Sequence, residues 1–372
     1  MAWALLAVSG TVAGCVDVAD ERAQFDGSVG SARAEAASVR VDDGLAAIRG
    51  FEIDARGGGR LELWAQAPAL AVTLEPGGTD VWTIQARNVM DGIELRGEGP
   101  SGARLAITEV ARPIPTETTW QVQTGAAGPV RLFLVPPDLS GEGPWSVAVF
   151  ADVQRCIDHV QDIYDGINAQ DDNIRFALIS GDLTPNGTPE SLDRFQRELR
   201  TLDVPAYATL GNHELGSGQF NFHRRYGRGS FSFVHRGARF TLLDSASATV
   251  APTADRWLDG WLDDGADALH LFITHIPPLD PDGTRNGGFA SRAEGHRLVA
   301  KLARHGVDMT IYGHVHTFES FRNAGIKAYV SGGGGAIPQR LDGIGRHFLV
   351  LTVTPGEESF SVRKVRVFPE FL

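Results

Sequence analysis

The chain has 372 residues, with 46 acidic against 34 basic side chains, a net charge of −12, and 42% hydrophobic composition. That length corresponds to roughly two domains and gives enough core to fold without disulfides. The acidic balance argues against extended binding to nucleic acid or anionic lipid, but not against a small phosphate ester at a local metal cluster. Lys301, Lys327 and Lys364 are the only lysines, so the other 31 basic residues are Arg, a skew of composition and not a sign of phosphate binding.

Residues 1–15 read as a signal peptide. Ala2 to Gly14 are apolar or small and run into Cys15, and Val12-Ala13-Gly14-Cys15 resembles the bacterial lipobox. That resemblance implies lipidation of Cys15, leaving Cys156 as the one remaining thiol, and a lipid-anchored or secreted place in the cell envelope. Val16 after the Cys favours the outer membrane by the same resemblance, although no Lys or Arg precedes the apolar run. No stretch of ~20 apolar residues is present to span a membrane as a helix. Residues 16–38, rich in Ala, Ser, Gly and Asp, read as a flexible tether.

From 39 to 140 the pattern is short and alternating. Segments 38–41, 60–64, 70–74, 81–84, 104–107 and 130–135 read as strands between Gly- and Pro-rich turns, which suggests an all-β sandwich-like domain. It carries no His, Cys or carboxylate cluster, so its expected role is a spacer or binding module. Pro136 to Pro144 reads as the linker.

From 145 to 372 apolar runs alternate with amphipathic stretches such as 188–202 and 291–305, the grammar of an α/β domain with fully buried strands. Trp257 and Trp261, four apart, read as a core face of one helix. Five apolar runs end in metal-capable residues: Asp152 and Gln154, Asp182, Asn212 and His213, His275, and His314 and His316. Ligands of open α/β sheets gather at the carboxyl ends of strands, so these groups are expected in one crevice. Carboxylates, amide oxygens and imidazoles together suit Mn, Fe, Zn or Co, and they outnumber what one ion needs.

Asp152-Val153-Gln154, Gly181-Asp182, Gly211-Asn212-His213-Glu214, Thr274-His275 and Gly313-His314-Val315-His316 resemble the calcineurin-like metallophosphoesterase family. The resemblance implies a four-layer α/β/β/α sandwich and two divalent ions, Mn, Fe or Zn. It implies Asp152, Gln154, Asp182 and His316 around one ion, and Asp182, Asn212, His275 and His314 around the other, with Asp182 bridging. Metal-activated water would then attack the phosphorus of a phosphate-ester substrate. His213 is the expected general acid, and Glu214 the partner that orients or tunes it. Gln154 departs from the His that most members place there; its amide oxygen is a weaker, harder donor. A non-catalytic envelope binding protein on the same fold is the rival reading, and a nuclease is disfavoured by the net acidity.

Several side chains read as lesser candidates. Arg285, Asn286 and Arg292 lie in the polar loop after His275, where strand-end loops set specificity. His223-Arg224-Arg225-Tyr226 reads either as a contact to substrate phosphate or as a solvated loop, Cys156 as a small buried residue, and His159, His235, His270, His296, His305 and His347 as structural or surface histidines.

Overall fold

The structure, a computed structural model, describes residues 6–125, 128–265, 269–281, 283, 287–338, 343–357 and 359–368, with the backbone alone described for 6–15. The chain opens with a helix, α1 (Leu6–Asp26). This corrects the flexible tether expected over 16–38. The Arg22 guanidinium, fully buried, pairs with Asp244 at 2.8 Å. Asp26 accepts from the backbone N–H groups of Gly229 and Ser230 at 2.8 and 2.9 Å. Ala19 and Ala23 sit in an apolar cluster with Leu243, Leu258 and Leu262. The polar composition was misleading because its charged residues are used internally. No helix among the described residues is long and apolar enough to cross a membrane.

Ten strands follow: β1 (Ser31–Ala34), β2 (Ala37–Val41), β3 (Ala46–Ile53), β4 (Gly59–Ala65), β5 (Leu70–Glu75), β6 (Val81–Arg87), β7 (Glu94–Glu98), β8 (Ala106–Ile114), β9 (Glu117–Gln123) and β10 (Val130–Val135). They form two five-stranded sheets, ordered β1-β2-β5-β10-β7 and β3-β4-β6-β9-β8. Alternation decides the faces: in β10, Val130, Leu132 and Leu134 are buried and the residues between them half-buried. Val72, Leu74 and Leu132 of one sheet share a core with Leu61, Ile84 and Trp120 of the other. This is compatible with a β-sandwich. Strands β1, β3, β7 and β9 were not among the expected segments. In β3 the alternation is broken by a register shift between Ile48 and Gly50, which hides the period-2 signal.

The remaining elements are β11 (Trp145–Phe150), α2 (Gln161–Asn168), β12 (Ile174–Ser180), α3 (Pro189–Glu198), β13 (Ala206–Thr209), α4 (His223–Tyr226), β14 (Phe231–His235), β15 (Ala238–Leu243), α5 (Pro252–Asp264), β16 (Leu269–Thr274), α6 (Arg292–Arg304), β17 (Met309–Tyr312), β18 (Phe318–Asn323), β19 (Ile326–Ser331), β20 (His347–Val353) and β21 (Ser361–Arg366). Two sheets result, β13-β12-β11-β20-β21 and β14-β15-β16-β17-β19-β18. Each central strand is apolar on both faces because each face meets a different layer. Val147, Val149, Phe176 and Leu178 meet Phe240, Leu271, Ile273 and Ile311 between the sheets. Ala148, Phe150, Ala177 and Ile179 face Ile163, Tyr164, Leu192 and Phe195 of α2 and α3. Leu243 and Phe272 face α5, α6 and α1. The layering is α/β/β/α, as expected. Truncating a ring as buried as Phe176 to Ala would cost about 3–5 kcal/mol.

The helices begin where local chemistry allows. Thr188 caps α3 by accepting from Ser191 N, with Pro189 at the first helical position. Ser291 caps α6 through Glu294 N. Trp257 and Trp261 lie against the α5 side of the core, half-buried, with Arg228 over the Trp257 ring. The segment Pro136–Pro144 connects the two regions but is tied down: Arg236 donates to the carbonyls of Gly141 and Gly143.

Candidate metal centre

Strands β11, β12 and β13 run parallel in one sheet, β16 and β17 in the other, so their carboxyl ends deliver the candidate ligands to one place. Each chain must turn sharply as it leaves its strand. Asp152, Gln154, Asp182 and His314 all adopt left-handed backbone conformations, with φ of 62°, 47°, 55° and 68°. Such strain in non-Gly residues gathers at functional sites. Gly211 is required for space: a Cβ there would lie 2.2 Å from Asp182 Oδ1.

The sequence-expected groups meet. Asp152, Asp182 and His275 are buried, with ligand atoms within 4.8 Å of one another. His275 Nε2 lies 3.3 Å from Asp182 Oδ1 and 3.1 Å from Asn212 Oδ1. The His314 ring is centred 5.3 Å from that of His275, and the His314 N–H donates to Asp152 Oδ2 at 2.9 Å. His316 Nε2 lies 3.3 Å from Asp152 Oδ1. Gln154 Nε2 is 2.8 Å from Asp182 Oδ2 and 3.2 Å from His316 Nε2. An amide assigned the other way round would aim Oε1 at the same point.

Backbone carbonyls fix the rings. Ser180 O lies 2.7 Å from His275 Nδ1, Pro185 O 2.7 Å from His213 Nδ1, and Ile337 O 2.6 Å from His316 Nδ1. A carbonyl only accepts, so each Nδ1 carries hydrogen and each neutral ring presents a bare Nε2 to the site. Sequence reasoning missed these three carbonyls, because a backbone acceptor leaves no residue signature.

Charge is crowded here. Burial works to lower the His275 pKa, but the adjacent Asp182 carboxylate raises it, to about 9. Burial pushes the Asp182 pKa up; His275 and His213 outweigh it and hold the carboxyl well below the usual range. Asp152 Oδ1 is buried and, apart from His316 Nε2 at 3.3 Å, has no hydrogen-bond donor among the described residues. In the metal-free protein a proton on His275 therefore sits between acceptors, where a divalent cation would serve better. The donor set of carboxylate, amide oxygen and imidazole fits such an ion.

Glu214 corrects its expected part. It is fully buried and does not orient the His213 ring, which Pro185 O holds. It accepts instead from Asp182 N, Thr184 N, Thr184 Oγ1 and Gly211 N, at 2.9, 3.1, 3.2 and 2.8 Å. Burial, then the nearby Asp182 charge, push its carboxyl pKa up, while the Gly211 and Thr184 N–H groups pull it down and favour the carboxylate. All four partners donate, so Glu214 acts as the acceptor that joins two ligand-bearing turns. The ring of His213 keeps Nε2 toward the site, 3.8 Å from Asp182 Oδ2.

The lesser candidates separate. Arg285 and Asn286 lie outside the described residues. Arg292 opens α6 and lines a cavity of about 910 Å³ with Asp280, Phe289 and His296. Arg225 is committed to Asp193 at 2.6 Å, and buried His223 faces Asp26. Cys156 is half-buried, and burial pushes its thiol up. His235 pairs with Asp138, and His270 with Thr241.

The chain is 28% identical over 151 residues to the 3′,5′-cyclic-nucleotide phosphodiesterase alr5338 of Nostoc sp., a match of 37% of this chain and 54% of that protein. It thus spans about half the length of the curated relative it matches. Among solved structures, a dimetal phosphatase from Danio rerio has 14% identity and a TM-score of 0.47, over 59% of this chain and 99% of that one. GAP50, the anchor in the inner membrane complex of Plasmodium, has 12% identity and a TM-score of 0.46, over 62% and 90%. Residues 146–318, which carry every candidate ligand as well as His213 and Glu214, match the family described as calcineurin-like phosphoesterase.

Proposed function

We propose that this chain hydrolyses phosphate esters at a dinuclear divalent-metal centre. Asp152, Gln154, Asp182 and His316 would hold one ion; Asp182, Asn212, His275 and His314 would hold the other. The observation that carries this reading is the meeting of acceptors around His275 Nε2, 3.1 Å from Asn212 Oδ1 and 3.3 Å from Asp182 Oδ1. The family match over 146–318 and the phosphodiesterase relative support the ester class and favour a diester.

Bound ions would supply Lewis acidity toward phosphate oxygens and acidify water near neutral pH. The chain's residues do the rest. Asp182 turns its two oxygens toward different neighbours, Oδ1 to His275 and Oδ2 to Gln154. His213 is anchored through Nδ1 and partly exposed; as the imidazolium it would carry a second proton on Nε2 and deliver that one to the leaving oxygen.

The test uses the full chain, because α1 is part of the fold. Metal content is measured alongside hydrolysis of p-nitrophenyl phosphate and bis-p-nitrophenyl phosphate with Mn, Zn or Fe, with Asp182→Asn as control. About two ions per chain, with turnover lost in the variant, is the expected result. Neither metal nor turnover would leave the non-catalytic binding-protein reading.

We further propose that Cys15 is lipidated and holds the protein in the bacterial cell envelope, from the lipobox-like Val12-Ala13-Gly14-Cys15. Fatty-acid probe labelling that persists in Cys15→Ala would overturn this.

A further inference from the structure

We infer that the N-terminal β-rich region is a brace that positions the loop carrying Asn212 and His213, with Asn88 as its principal positioning residue. This rests on the proposed metal centre for its effect on activity, but not for its structural content.

Strand β13 lies at the edge of its sheet and leads directly into Gly211-Asn212-His213. An edge strand leaves a row of backbone groups unpaired. Here the β-region supplies the missing partner as one side chain. Asn88, buried just after β6, accepts from Ala206 N at 2.7 Å and donates to Ala206 O at 2.8 Å. The same amide donates to Ala65 O at 2.8 Å, so it is fixed from its own side. Its left-handed backbone, φ 61°, turns the amide outward from β6.

The far end of β13 is held by a second route. Thr209 Oγ1 donates to Gly229 O at 2.8 Å. The segment around Gly229 is in turn gripped by residues N-terminal to the α/β region. Gln66 accepts from Arg228 N at 2.6 Å and donates to Arg228 O at 2.8 Å. Asp26 of α1 accepts from Gly229 N and Ser230 N. Both ends of the strand that delivers Asn212 and His213 are thereby tied to residues 26–88. A spacer would make no such paired backbone contacts, buried at Asn88 and Asp26 and part-buried at Gln66.

The experiment compares Asn88→Ala with Leu132→Ala, a core truncation inside the β-region, in the full chain. Asn88→Asp keeps the acceptor for Ala206 N but sets a carboxylate oxygen against the Ala65 and Ala206 carbonyls, so it isolates the two donated bonds. The readouts are amide hydrogen exchange, metal affinity, kcat and KM. Asn88→Ala is expected to speed exchange over 207–215 by about tenfold while 269–274 and 309–312 stay protected. It should also weaken metal binding and lower kcat with little change in KM, and Asn88→Asp, which loses both donated bonds, should do no less of each. Leu132→Ala should lower the melting temperature without these local effects. Equal exchange over 207–215 in Asn88→Ala and Leu132→Ala would overturn the inference, as would unchanged exchange in Asn88→Ala. If the wild-type chain neither binds metal nor turns over, the functional proposal fails and the exchange comparison still decides the brace.

Discussion

The Glu214 carboxylate accepts from the backbone N–H of Asp182 at 2.9 Å and from that of Gly211 at 2.8 Å. One side chain thus locks together the turns after β12 and β13, which carry the candidate bridging carboxylate and the Asn-His pair. Glu214→Gln would place an amide NH2 against at least one of these donors. We expect a loss of about 1–3 kcal/mol in stability and a 10–100-fold loss in metal affinity. Metal titration followed by thermal denaturation checks both; unchanged affinity would show that Glu214 serves folding alone.

His213 presents Nε2 to the site while Pro185 O holds Nδ1. A general acid matters most when the leaving oxygen is basic. His213→Asn should therefore lower kcat about 10²–10⁴-fold for an alkyl ester and far less for a p-nitrophenyl ester. Equal losses on the two substrates would assign His213 to another task.

The Arg22–Asp244 pair is buried on both sides, and Asp244 also accepts from Ala246 N. Arg22→Met leaves Asp244 buried without its counter-charge. The expected destabilisation is about 3–5 kcal/mol. Denaturant unfolding measures it, and a change below about 1 kcal/mol would mean that α1 is not integral to the fold.

His270 gives a pH dependence away from the metal centre. Burial, then the charge of Arg239, lower its pKa from 6.5 to about 4. The folded protein keeps this ring neutral while the unfolded chain takes up a proton below pH 6.5. Stability is therefore fully present above 6.5, falls as the pH drops from 6.5 toward 4, and levels off below. The contribution at stake is about 3 kcal/mol. His270→Gln, which can still bond Thr241 Oγ1, should flatten the slope in that window; an unchanged slope would place the titration elsewhere.

The Asp182 carboxylate raises the His275 pKa to about 9, against the effect of burial. A cation bound through His275 Nε2 would displace that proton. Calorimetry in buffers of different ionisation enthalpy should show proton release on binding at pH 7, which His275→Ala removes.

The order of apolar runs and the polar residues after them determined the α/β layering and the candidate ligand set, because fully buried strands and strand-end motifs are local patterns. Asp152, Asp182, Asn212, His275, His314 and His316 were legible for that reason. Gln154 was legible as a departure. What only the tertiary structure decided involves groups without a local pattern. Ser180 O, Pro185 O and Ile337 O orient the imidazoles through backbone atoms that any residue possesses. Glu214 joins two turns rather than serving the histidine beside it, since burial placed it among N–H donors. Polar residues 16–38 looked like a tether until Arg22 and Asp26 met Asp244 and Gly229, more than 200 positions away. Composition records that such side chains are charged; only the fold determines whether water or a buried partner satisfies them.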